Sequence, residues 1–259
     1  MRILTSNIWG TYFGNPVERR EDQLYGIYTK YRPDILGLQE YNDGWYASRL
    51  MSCLQKDYAV VGTELYGSWN YVPLFFLREK YACDAMGYEH YADTPDASKG
   101  VTWAHLTDKE SGKDLAVCNT HFWWKTGPEH DELRVKNARQ LLRLMKRIRD
   151  DHGCPVFAFG DMNCTVSSGV FKVYAENGVR GLRDLAATRS DVSSHHGDPV
   201  RGEDGFYHGK PTPNDWTCSI DHIVGLGEAF TVQNYQIVTE QDALDATDHS
   251  PVYADVTLL

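Results

Sequence analysis

Short apolar runs that halt on polar side chains recur along this chain, and the sharpest is Phe157-Ala158-Phe159-Gly160-Asp161-Met162-Asn163. Pro155 and Val156 lead into it, so the segment reads as a strand whose C-terminal end presents Asp161 and Asn163. Residues two apart on an extended chain point to one side, which predicts that these two project together. A carboxylate beside an amide can take a proton and hold the oxygen that lost it. The same residues also suit a strand followed by an Asx turn, and taken alone that is the commoner use of the pattern.

Other runs end in the same way. Arg2 to Trp9 is a strand candidate broken by Gly10, with Asn7 near its end. Asn15-Pro16-Val17-Glu18 reads as a helix start, Asn15 as cap and Pro16 at the first helical position, for a helix reaching about Tyr31. Asp34 to Glu40 is a second apolar strand that ends in an acid. Strand, helix and strand in this order predict a crossover with parallel strands, so Asn7 and Glu40 should emerge at one edge of the sheet. Such a pair suits a hard cation, since Mg²⁺ takes oxygen ligands.

A helix is expected around Trp45 to Leu54, then strands at Tyr58 to Val61, Tyr71 to Leu77, Tyr81 to Tyr88, Val101 to Leu106 and Leu115 to His121. Their short links favour antiparallel neighbours. Asn119 and His121 share one face at the end of this series. Trp123 and Trp124 follow, placed either to stack on a base or sugar or, the favoured reading, to cover the edge of the core.

Glu129 to Arg149 carries the clearest helical stripe: Leu133, Ala138, Leu141, Leu142, Met145 and Ile148. Residues 134 to 149 hold seven basic side chains and no acid, so the remainder of the chain carries −17 against −10 for the whole. Without interleaved aromatics this basic run reads as a solvated helix face. A helix is expected at Gly169 to Asn177. The loop-like stretch Thr188 to Trp216 is long enough to wall a substrate pocket. Its histidines His195, His196 and His208 show no ligand spacing. Strands are expected from Ser219 to Val224, Phe230 to Val238 and Val252 to Leu258, with Asp248-His249-Ser250-Pro251 before the last. Residues 1–259 read as a single domain.

An acidic surface repels polyanions, which disfavours a long nucleic acid as the main substrate. The six cysteines form no C-x-x-C pair and several sit in apolar runs, as small buried side chains in a reducing compartment do, not as a disulfide framework or zinc site. No run approaches a transmembrane length and the first residues read as a strand, so the chain as given is expected to be cytoplasmic, a trimmed leader aside. It is expected to act as a monomer.

Taken together, Asn7, Leu38-Gln39-Glu40, Asn119-Thr120-His121, Gly160-Asp161-Met162-Asn163, Ser219-Ile220-Asp221-His222 and Asp248-His249-Ser250 resemble the endonuclease/exonuclease/phosphatase superfamily, the fold of deoxyribonuclease I. Each pattern is weak alone; six in register over most of the chain are specific. The resemblance implies an α+β, four-layer α/β/β/α sandwich: two mixed β-sheets packed face to face, helices outside, and the active site at one end. It also implies roles. Glu40 would bind Mg²⁺ or Mn²⁺, with Asn7 and Asp248 helping to place metal and phosphate. Asp161 and Asn163 would orient or deprotonate the attacking water. His121 would contact phosphoryl oxygens or act as an acid. Asp221 would pair with His249, fixing its tautomer and raising its pKa so that it meets the phosphoryl group as a cation.

There are departures from the family pattern. Nuclease members often carry a glutamate that partners the histidine matched by His121; here the region reads Trp69-Asn70-Tyr71, and Asn70 is the candidate to orient that ring. His222 stands where an aromatic is common. The DNA-gripping basic loops of the nucleases have no equivalent, which points to a divalent-metal-dependent phosphoesterase acting on a small or lipid-like diester or monoester. A DNA or RNA nuclease is the alternative, and a non-catalytic binding scaffold is third. A membrane-acting enzyme would need an exposed apolar anchor, for which Trp123-Trp124 is thin.

Overall fold

The protein is described here by a computed structural model covering residues 1–12, 14–62 and 70–259. From the N-terminus, β1 (Arg2–Asn7), α1 (Arg20–Tyr31) and β2 (Ile35–Gln39) form the anticipated crossover, with β1 parallel to β2 and Asn7 level with Gln39. Two short helices, α2 (Asp43–Tyr46) and α3 (Leu50–Leu54), stand where one was expected, followed by β3 (Tyr58–Val61) and β4 (Leu74–Leu77). An antiparallel meander comes next: β5 (Tyr81–His90), β6 (Gly100–Asp108) and β7 (Asp114–His121). The long helix α4 (Pro128–His152) then leads to β8 (Val156–Asp161), which is parallel to β7. The remaining elements are α5 (Gly169–Glu176), β9 (Val179–Gly181), α6 (Leu182–Leu185), β10 (Ala186–Arg189), β11 (Val200–Arg201), β12 (Tyr207–His208), β13 (Asp221–Leu226), β14 (Phe230–Ile237), α7 (Gln241–Ala246) and β15 (Val252–Leu258).

Two mixed sheets result, ordered β10-β14-β15-β1-β2-β4-β3 and β5-β6-β7-β8-β13-β9, with β11 and β12 a separate hairpin. Strand alternation builds three apolar layers from them. Ile3, Ile35 and Phe76 of the first sheet face Val117, Phe157, Phe159 and Ile223 of the second. The intervening residues point outward: Leu4, Leu36 and Phe75 pack on Leu24, Ile27 and Tyr28 of α1, while Cys118, Val156 and Ala158 pack on Leu141, Met145 and Ile148 of α4. A sheet covered on both faces needs apolar residues at every position, which is why these strands read as unbroken apolar runs. Helix, sheet, sheet and helix are the four layers of the expected α+β sandwich.

Several local expectations are corrected. The first helix starts at Arg20, not Pro16, because Arg19 adopts a left-handed φ of 65° that interrupts the turn. Asn15 caps nothing; its Oδ1 accepts a hydrogen bond from the Tyr207 hydroxyl. The short link from β4 to β5 joins the two sheets and makes no hairpin. The stretch from 188 to 216 carries strand residues at both its start and its middle. The basic run on α4 is largely a solvated face, but Arg134 is buried and donates to the carbonyls of Trp123 and Lys125. Cys218 is exposed, unlike the buried Cys118, Cys154 and Cys164. Among the described residues, no helix is long and apolar enough to cross a membrane.

Candidate active site

Parallel pairing puts the ends of β1 and β2 at one edge of the first sheet, and the ends of β7 and β8 at the facing edge of the second. Antiparallel β13 begins at that edge, with Asp221 level with Asp161. The turn into β15 brings Asp248 and His249 to the same end, since β15 runs antiparallel to β1. The strand ends therefore converge on a cleft of about 410 Å³, lined by Glu40, His121, Asp161, Asn163, Asp248 and His249 among others. Asn7 and Asp221 lie just behind its wall.

Asp161 is the hub. Its Oδ2 lies 3.3 Å from His121 Nε2 and 3.9 Å from His249 Nε2, and accepts from Asn7 Nδ2 at 3.0 Å. Its Oδ1 accepts the Asn163 N–H at 2.8 Å. Burial raises the Asp161 carboxyl, but the imidazoles of His121 and His249 and these hydrogen bonds outweigh it and hold the pKa far below the usual range. β8 comes this close to β7 through Gly160: its φ is 148°, and a Cβ there would lie 1.8 Å from the Thr120 carbonyl oxygen.

Glu40 Oε1 accepts from Asn7 Nδ2 at 3.2 Å and Oε2 from the Gly10 N–H at 2.8 Å. Asn7 Oδ1 accepts the Trp9 N–H, so Asn7 turns its amino group on both carboxylates. His249 Nδ1 sits 2.8 Å from Asp221 Oδ2, which also accepts from the Ser194 hydroxyl at 2.7 Å. Burial lowers the His249 pKa, but Asp221, Asp248 and Asp161 override it and hold the ring well above its ordinary value. Burial pushes Asp248 up to about 7, with Glu40 and Asp198 adding to the rise and His249 opposing it.

Asp161 and Asn163 do share the cleft, yet strand alternation is not the cause. β8 ends at Asp161, and Asn163 reaches the site through a turn at φ 49°. Trp9 and Glu40, at φ 54° and 62°, turn in the same way. Such backbone persists only where its surroundings enforce it. Asn119 lies outside the site: its amide donates to the carbonyls of Leu38 and Pro73 and accepts from Gln39 Nε2, tying the two sheets together. Asn70 does not orient His121, since its side chain is spent on Thr102 and the Val72 N–H; Trp69 lies outside the described residues. Besides Asp161, Lys99 stands against that ring, its ammonium 3.2 Å from Nδ1 and 3.0 Å from Nε2.

Of the loop histidines, His195 stacks edge-on against His249 at 4.8 Å and lines the cleft with Asp198, so the long segment does form a wall. Burial holds His196 near 4, and His208 is turned to Asp204. Trp123 is buried against His130, whereas Trp124 is half exposed at the cleft mouth. His222 is a packing residue, bonded to the Cys164 carbonyl and edge-on to Phe171. Lys99 and Ser194 escaped the sequence reading because a lone lysine or serine in a loop looks solvated.

Carboxylates dominate the lining: Glu40, Asp96, Asp161, Asp198 and Asp248 face the cleft. Carboxylate oxygens gathered in one cleft are hard donors of the kind that suit a divalent cation. The side-chain donors of His195, Asp248 and His249 lie within 4.8 Å of one another, as do those of Asp161, Asp221 and His249.

No curated protein matches the chain significantly in sequence. Solved structures do match in fold. An endonuclease/exonuclease/phosphatase from Bacteroides vulgatus aligns at 24% identity and TM-score 0.80, over 100% of this chain and 98% of its own. A mannosyl-6-phosphatase from Bacteroides thetaiotaomicron aligns at 17% identity and TM-score 0.76, over 100% of both chains. The human Nocturnin catalytic domain aligns at 20% identity and TM-score 0.74, over 100% of this chain and 94% of its own. The sequence model of the Endonuclease/Exonuclease/phosphatase family matches residues 4–249, a span that runs from β1 to His249 and takes in every strand end that builds the cleft. On that match the chain belongs to the endonuclease/exonuclease/phosphatase family, whose members are hydrolases of phosphate esters.

Proposed function

We propose that this protein is a divalent-metal-dependent phosphoesterase that hydrolyses a small phosphate ester by in-line attack of water. The observation that carries the reading is the convergence of Asp161, His121 and His249 within 4 Å, beside Glu40 and Asp248, in one cleft. In-line displacement at phosphorus asks for positioning and charge neutralisation more than covalent chemistry. Glu40 and Asp248 would hold Mg²⁺ or Mn²⁺, with Asn7 fixing the Glu40 carboxylate. The bound ion would neutralise developing charge on the phosphoryl and leaving oxygens.

The remaining tasks fall to the side chains. An Asp161 carboxyl held so far below its usual range is a weak base, so its task is to orient the water, together with the Asn163 amide. Asp221 fixes His249 with Nδ1 protonated and leaves Nε2–H for a phosphoryl oxygen. His121 faces the same oxygens from the other side of Asp161, where it can also serve as an acid. The excess of carboxylates in the lining supports a small substrate over a long nucleic acid.

The test is hydrolysis of p-nitrophenyl phosphate and bis-p-nitrophenyl phosphate with EDTA, Mg²⁺ or Mn²⁺, followed by a panel that includes mannose 6-phosphate. Metal-dependent release that disappears in Glu40→Ala and His249→Ala supports the reading. Release that persists in EDTA or in either variant overturns it.

A further inference from the structure

Lys99 precedes β6, whose first residue Gly100 is level with His121. Its side chain is 4% exposed, and it is the sole lysine or arginine among the described residues lining the cleft. Lysine is seldom buried without a carboxylate partner. Here no carboxylate oxygen of the described residues lies within 4.0 Å of the ammonium; Glu40, Asp161 and Asp96 act on it from farther away. Among the described residues, the hydrogen-bonding contacts of the ammonium are to the His121 ring alone. An ammonium has three N–H donors and an imidazole offers at most one lone pair, so at least two donors remain for an acceptor in the cleft.

The neighbouring groups narrow what that acceptor is. His121 and His249 line the same cleft, so one ammonium and two imidazoles face a volume that the carboxylates Glu40, Asp96, Asp161, Asp198 and Asp248 also line. A terminal phosphate monoester carries close to two negative charges near neutrality and three free oxygens, whereas a diester carries one charge and two. The additional charge and oxygen are what a fixed cation with spare donors rewards.

We propose that Lys99 is a specificity-determining residue that selects a terminal phosphate monoester over a phosphodiester. The inference rests on the phosphoesterase reading for the reaction, but its binding component can be measured without turnover. Inorganic phosphate and dimethyl phosphate are titrated calorimetrically at pH 8, with and without Mg²⁺, into the wild-type protein, Lys99→Met and Lys99→Arg. Wild type should prefer phosphate by about tenfold or more. Lys99→Met should weaken phosphate about 10- to 100-fold, the worth of one or two charged hydrogen bonds, and dimethyl phosphate less than about threefold. Lys99→Arg should retain most of the preference. In turnover, kcat/KM for p-nitrophenyl phosphate should fall by a similar factor in Lys99→Met, with the bis ester changed little.

Equal losses for both ligands in Lys99→Met, accompanied by a lowered thermal midpoint, would make Lys99 only a counter-ion of Glu40 and Asp161 and overturn the proposal. Phosphate affinity unchanged within threefold, or absent in wild type, overturns it too. If neither ester is hydrolysed with any metal, the reaction reading fails while the phosphate preference and its loss still decide the role of Lys99.

Discussion

Replacing Arg20 with methionine should destabilise the protein by about 4 kcal/mol, because this side chain fastens two of the loops that carry the site. Arg20 is 2% exposed, and its guanidinium donates to the carbonyls of Ile8, Trp9 and Ala246 at 2.5–2.6 Å. Ile8 and Trp9 directly follow Asn7, and Ala246 lies two residues before Asp248. Hydrogen bonds from a charged donor contribute about 1.5–3 kcal/mol each. Against them stands the desolvation of the guanidinium, which burial lowers from 12.5 to about 10, equivalent to about 3 kcal/mol. The balance lies between about 2 and 6 kcal/mol, and the carbonyls left bare in the variant favour the upper half. For a domain of this size each kcal/mol moves the midpoint by about 2–4 °C, so thermal unfolding followed by circular dichroism should shift down by about 10 °C. Arg20→Lys should fall between, since a single ammonium cannot span three carbonyls. A midpoint within 3 °C of wild type for Arg20→Met, outside the ~10 °C expected from these bonds, would refute the reasoning.

Three further outcomes are expected. Asp221→Asn keeps the shape but removes the carboxylate that raises His249, so the imidazole pKa followed by NMR should drop and hydrolysis should slow by about 10²–10⁴-fold with the midpoint little changed. His222 is buried and its pKa lies below the unfolded value through desolvation, so the unfolded chain binds the extra proton and stability should decline as pH falls below about 6.5; His222→Phe should flatten that acid-side slope in urea titrations at pH 5 and 7. Gly160→Ala should cost about 3 kcal/mol or more, or fail to yield folded protein, because the new methyl would meet the Thr120 carbonyl oxygen; a normal urea midpoint would contradict this.

The site was partly legible because its residues obey a rule visible in one dimension: polar side chains at the ends of apolar strands. Asn7, Glu40, His121 and Asp161 were found that way, and the β1-α1-β2 crossover placed the first two at one edge without tertiary information. The rule does not give the backbone path where the chain leaves the strand. Asn163 and Glu40 are site residues by sequence, but the left-handed turns that carry them into the cleft are not legible there, since no alternation pattern encodes a positive φ in a residue other than glycine. It also misjudged Asn119, which shares the face of His121 but sits deep enough to bridge the sheets.

Residue order alone was sufficient for the strand series, the long helix and the end of the molecule where the polar groups gather, because burial on both sheet faces forces apolar runs and ordering of strands in the chain is local information. Which partner each polar group takes was decided only by folding. Lys99 meets His121, Ser194 meets Asp221 and Arg20 meets Ala246 across separations of 22, 27 and 226 residues. The energies that select those pairs come from desolvation and short-range hydrogen bonding, which exist only once the two sheets have closed on each other.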